Sequence, residues 1–179
     1  MLLSFGKPVE SDADFRVLKS NRMKICLLVI GKTDASYVRA ALEEYEKRLK
    51  RYISFEIKVV PDIRNSKHIS EELQKEKEGV CILEQVQASD FIVLLDEKGK
   101  QYTSIGFSEF LAQKMLNGIK RLVFVIGGPY GFSESVYRRS HDTLSLSKMT
   151  FSHQMVRILF TEQLYRAMTI LKGEPYHHE

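Results

Sequence analysis

Long apolar runs are missing from this chain. The longest, Ile25 to Ile30 and Phe91 to Leu95, have strand length and fall far short of the roughly 18 residues a membrane span needs, so no membrane association is expected. Cysteine is scarce. Cys26 and Cys81 are the only two; both sit in apolar patterns without CxxC spacing, which argues for buried free thiols in a reducing compartment. The first 22 residues, MLLSFGKPVESDADFRVLKSNR, lack the apolar core of about 7 to 15 residues that a secretory signal carries, and the expected location is cytoplasmic. There is no internal repeat, low-complexity tract or Pro/Gly linker. His153, His177 and His178 crowd the C-terminal end with no HExxH, paired cysteine or clustered carboxylate, so no metal site is expected. No serine sits in GxSxG, which disfavours a hydrolase triad.

What is present reads as one globular domain. A chain of 179 residues, 44% hydrophobic and 28% charged, buries one sizeable core and is too short for two full domains. Net charge is +4, and from Ile119 onward eight Lys or Arg face five Asp or Glu, so +3 of it sits in the last third. Such a bias fits a solvated surface as well as a nucleic-acid partner. Residues 1–22 read as a separable extension and 23–179 as a single domain, with Met23 either the true start or the first residue after an appendage.

Strand and helix patterns alternate. KICLLVIGK from Lys24 reads as a buried strand, after which Thr33 and Asp34 are placed to cap a helix. That helix carries the stripe Val38, Leu42, Tyr45, Leu49, with Glu43/Lys47, Glu44/Arg48 and Glu46/Lys50 on its solvent side. FEIKVV is a strand, a helix is expected from about Ser70 to Val86 with Leu73, Val80 and Leu83 inward, and FIVLLD is a short buried strand. A helix near Ser108 to Leu116, the strand RLVFVI, a helix near Ser133 to Ser140, the strand TLSLS and a helix from His153 to Leu171 complete the order. This alternation predicts a three-layer α/β domain on a mainly parallel sheet.

Ligands gather at the carboxyl ends of parallel strands. Three segments follow strands there: LDEKGK, IGGPYG and LSLSKMTFSH. Their glycines and loop backbones offer unpaired main-chain groups. IGGPYG is no GxGxxG fingerprint and has no Walker lysine after it.

LDEKGK, FVIGGPYGF, LSLSKMTFSHQMVRILFTEQLYRA and the terminal GEPYHHE together resemble the RlmH family of ribosomal RNA methyltransferases, in the SPOUT superfamily, over Met23 to Glu179. The resemblance implies a C-terminal trefoil knot, S-adenosylmethionine as methyl donor, a homodimer, and N3-methylation of a pseudouridine in large-subunit ribosomal RNA on assembled ribosomes. Knots are rare, and only the resemblance supports one here. Carried over, the donor site comprises Leu95, Gly127, Leu146, Ser147, Lys148, Met149, Thr150 and Phe151. Where the family usually has Pro-His, this chain has Ser152-His153, so a serine N-cap replaces proline in starting the helix. His178 stands where members carry arginine.

Methyl transfer from a sulfonium is an in-line displacement that rewards alignment and needs no protein nucleophile. The pseudouridine N3 proton leaves to a base or to water, and His153 and His177 are both candidates. Arg166 either binds phosphate or pairs with Glu162, and Tyr176 is placed to stack on an unpaired base. The last helix is apolar on more sides than one sheet covers, which suggests that it lies at the dimer interface. Two rival readings are another SPOUT activity, such as ribose methylation of transfer RNA, and a non-catalytic RNA-binding factor.

Overall fold

The computed structural model describes residues 23–63 and 69–177; the expected extension 1–22 and position His178 lie outside the described residues. Five strands, β1 (Lys24–Ile30), β2 (Ser54–Val60), β3 (Phe91–Gln101), β4 (Arg121–Ile126) and β5 (Asp142–Ser145), alternate with five helices. The helices are α1 (Ser36–Leu49), α2 (Glu71–Leu83), α3 (Ser104–Leu116), α4 (Glu134–Arg139) and α5 (His153–Leu171). The strands form one parallel sheet in the order β2-β1-β4-β3-β5.

Side-chain alternation along the strands sorts the core into two layers. Ile25, Leu27, Val29, Leu122, Phe124 and Ile126 point to the face covered by α1, α3 and α5, where Phe107, Leu111, Phe160 and Leu164 meet them. Cys26, Leu28, Ile92, Leu94, Val123 and Val125 point to the other face, under Ile82 of α2 and Val136 of α4. Continuous apolar strands are what a parallel sheet covered on both faces requires. Each fully buried Leu or Phe contributes roughly 1.5–3 kcal/mol. Burial also pushes the Cys26 thiol up to about 11, and both cysteines are free.

Four local expectations change. Thr33 and Asp34 do not cap α1, whose N-cap is Ala35 with no side-chain bond. The Thr33 hydroxyl instead accepts from Arg157 Nη1 at 2.6 Å, and Arg157 Nη2 donates to the carbonyls of Ile30 at 2.7 Å and Gly31 at 3.0 Å. Arg157 is wholly buried, so a tertiary contact outcompetes the local cap. Helix α2 is rotated from its expected phase: Leu73 and Val80 are exposed, and Glu78, Gly79 and Ile82 are buried. Gly79 sets that phase, because a Cβ there would collide with Ser133 Oγ. Helix α3 begins at Ser104, capped by the Thr103 hydroxyl, one turn before the expected start. The Ser152 cap is as expected, its hydroxyl accepting from Met155 N at 3.3 Å.

The fourth change is β3, which runs 11 residues through the segment expected to be a loop. Its register with β5 breaks: Leu144 is the partner of both Leu95 and Lys100, so residues 96–99 bulge around β5. At the crest sits Gly99, where a Cβ would stand 2.6 Å from Leu144 N and 2.8 Å from Thr143 C. Those are main-chain atoms in a paired strand and cannot yield. Gly99→Ala is therefore expected to destabilise the fold by roughly 3 kcal/mol or more, read as a lowered urea midpoint against the unsubstituted protein.

Candidate functional site

The bulge in β3 and the carboxyl ends of its neighbours β4 and β5 converge on one cleft of about 840 Å³. Its volume falls in the range of about 300–1,000 Å³ typical of small-molecule sites. Strand β3 contributes Leu95, Asp96, Glu97 and Lys98; the segment after β4 contributes Gly127 to Phe132; the segment after β5 contributes Leu146, Ser147, Met149, Thr150 and Phe151. Every expected donor-site residue except Lys148 lines it. His153, the first residue of α5, lines it too and is exposed.

The segment after β5 is built to offer main-chain groups. Among the described residues no backbone–backbone hydrogen bond involves residues 147–151. The loop is shaped instead by side chains: Ser145 Oγ donates to Ser147 O at 2.8 Å, and Ser147 Oγ accepts from Met149 N at 3.0 Å. A ligand that pairs with this backbone replaces water at groups already held in place. The cleft rim is acidic, with Glu71, Glu72, Asp96 and Glu97 against Lys75 and Lys98, which favours a cationic ligand. Lys75 pairs with Glu72 at 2.7 Å. Tyr137 donates its hydroxyl to Asp96, and burial followed by that bond pushes the phenol pKa upward.

Gly127 supports the cleft through its packing against the turn that follows it. A Cβ there would meet Phe132 Cε1 at 3.0 Å and Gly131 O at 3.2 Å, so it points into the following turn and away from open space. Beneath the same turn lies Glu78, 3% exposed, with Oε2 unpartnered among the described residues and Oε1 accepting from Gln74 at 2.8 Å. Burial raises its pKa. Glu78 was not singled out in the sequence, since a glutamate on a charged helix gives no sign that it faces inward.

The remaining expected residues gather elsewhere. Arg166 pairs with Glu162 at 2.5 Å, lies 4.8 Å over the Tyr176 ring and donates to Tyr176 O at 3.4 Å. Tyr176 also meets Tyr165 edge-on at 4.7 Å. Burial, then a hydrogen bond with Tyr45, moves its hydroxyl up to about 12. His177 follows, its Nδ1 buried without a partner among the described residues. Thirteen helical steps separate Arg166 from His153, about 20 Å at 1.5 Å per residue. The structure thus brings His153 to the cleft and holds Arg166, Tyr176 and His177 as a second cluster at the far end of α5.

Residues 23–177 match a family model described as "Predicted SPOUT methyltransferase". The chain is 62% identical over 157 residues to a Parabacteroides distasonis protein named "Ribosomal RNA large subunit methyltransferase H", covering 88% of this chain and all of that protein. Proteins of the same name from Christiangramia forsetii and Flavobacterium johnsoniae are 60% and 56% identical, covering 87% and 88% of this chain and 99% and 100% of theirs.

Valine at position 127 would force Phe132 and the turn toward the cleft. Gly127→Val is expected to weaken S-adenosylmethionine binding at least roughly tenfold while the fold persists, as checked by titration calorimetry alongside circular dichroism.

Proposed function

From the premise that the chain belongs to the SPOUT methyltransferase family, we propose that it transfers a methyl group from S-adenosylmethionine to large-subunit ribosomal RNA, as its relatives' name says of them. The acceptor is the N3 atom of a pseudouridine, presented on assembled ribosomes in the cytoplasm. The observation that carries this reading is the convergence of Leu95, Gly127 and the 146–151 loop on one cleft. Those segments are ligand-like only through their backbone.

The residues present fit the donor. The cleft is large enough, the 147–151 backbone makes no backbone–backbone hydrogen bond among the described residues, and the acidic rim suits a cation. When bound, S-adenosylmethionine supplies an electrophilic methyl on a sulfonium. The chain's own contribution is alignment, since holding two reactants in line removes much of the entropic barrier. Leu95, Gly127, Leu146, Ser147, Met149, Thr150 and Phe151 would hold the donor, and Asp96, fixed by Tyr137, keeps negative charge at the rim. His153 stands in the cleft with an exposed imidazole, placed to take the N3 proton.

We also propose a trefoil knot at the β3 bulge, reading β5 and the chain leading to α5 as threaded through the loop that residues 96–99 begin. The shared partner Leu144 and the contact at Gly99 support this. The tail acts on the acceptor, and it does so across a homodimer. Its residues are held at the far end of α5 from their own cleft, so a second copy is needed to bring Tyr176 and His177 beside donor and acceptor. Within one chain α1 and α3 flank α5, covering more of that helix than expected and leaving an outward stripe with exposed Met155 and half-buried Leu159 for a partner.

Mass spectrometry of ribosomal RNA from a strain lacking this protein and from a complemented strain tests the activity: a methylpseudouridine present only in the second is expected, and identical spectra overturn it. The tail is tested by complementation. Protein lacking Pro175 to Glu179 should bind S-adenosylmethionine normally and methylate ribosomes poorly, whereas mixing it with the Gly127→Val chain should restore transfer. In mixed dimers only a cleft from one chain and a tail from the other are both intact. Failure of the mixture to regain activity would place tail and cleft in one chain.

A further inference from the structure

Tyr130 occupies the tip of the Gly128–Gly131 turn at the lip of the cleft. The turn is closed by Gly131 N donating to Gly128 O at 3.3 Å, and the two glycines form an isolated antiparallel bridge. Pro129 presets the backbone at its second position, and Gly131 has φ of 81°, the left-handed region that favours glycine. The base of the turn is locked from below. A Cβ on Gly128 would lie 2.8 Å from Glu78 Cδ, and Phe132 is 6% exposed. Tyr130 itself is 43% exposed, with no hydrogen bond or ring contact among the described residues. Tyr137, in the same cleft, is occupied: its hydroxyl serves Asp96 and its ring meets Phe132 edge-on at 5.8 Å.

We propose that Tyr130 is the surface on which an unpaired base of the acceptor RNA stacks as the target nucleotide enters the cleft, making it a determinant of acceptor binding. This rests on the reading of the cleft as a methyltransferase site. The acids Glu71, Glu72, Asp96 and Glu97 outnumber Lys75 and Lys98, and Lys75 is paired with Glu72, so the rim's net charge disfavours phosphate and a neutral π-face is the contact by which an anionic polymer is held there. Single-stranded RNA is recognised in that way, by bases splayed onto aromatic rings. A tyrosine on a rigid turn orders few torsions on binding, which keeps the entropic cost low.

Steady-state methylation of ribosomes by Tyr130→Ala, Tyr130→Leu and Tyr130→Phe proteins tests this, with S-adenosylmethionine affinity measured by calorimetry. Loss of base stacking should raise KM for ribosomes at least roughly fivefold in the Ala and Leu variants, with kcat and donor affinity within about twofold of native. The Phe variant, which keeps the ring, should retain the native KM. An unchanged KM in the Ala variant overturns the proposal, as does loss of donor affinity in the same proportion, which would assign the ring to the donor. If the unsubstituted protein transfers no methyl to ribosomes, the reading of the cleft falls together with the proposal; if it does transfer and Ala keeps the native KM, the Tyr130 proposal alone falls.

Discussion

The main chains of β3 and β5 meet at Gly99 at a separation that admits no side chain, with a Cβ position only 2.6 Å from Leu144 N. Everything downstream takes its place from that contact. The loop at 146–151 leaves β5 immediately after Leu144 and Ser145, and α5 starts where the loop ends. A shift of β5 by one residue would exchange the inward and outward sets of its side chains and carry the loop away from Gly127. The double pairing of Leu144 with Leu95 and Lys100 blocks such a shift from both sides.

A cleft made in this way needs little side-chain chemistry. Its shape comes from the bulge in β3 and the ends of β4 and β5, and its polarity from a loop without backbone–backbone bonds among the described residues. The reactive-looking residues, Arg166 with Glu162 and Tyr176, are instead neutralised against one another some 20 Å along the helix. Their mutual pairing holds Tyr176 against α5.

The succession of strands and helices along the chain was legible because parallel strands buried on both faces read as continuous apolar runs, and β1, β3 and β4 do so plainly, whereas their order in the sheet was not. Helix α5 was legible to its end residues, since Ser152 caps it and its apolar positions recur along 19 residues. Other features depended on contacts between distant segments. Leu73 and Val80 suggested one face of α2, yet the close approach of Gly79 to Ser133 turned a different face inward. Thr33 looked like a cap and proved to be an acceptor for Arg157. The donor segments carried no chemical motif at all, and only their likeness to a family marked them. Lys148, included with its neighbours, lies off the cleft because a loop turns residue by residue.

Arg157 bears on how the chain reaches this state. Its bonds to Ile30 and Gly31 join positions 127 and 126 residues apart, so the carboxyl end of the first strand stays unsealed until the last helix has been synthesised and docked. Contacts of such long sequence separation close large loops and slow the search for the native topology. Until α5 docks, the Ile30 and Gly31 carbonyls lack the Arg157 partner that they have in the folded chain. Arg157 thus ties completion of the first strand's carboxyl end to the docking of the last helix.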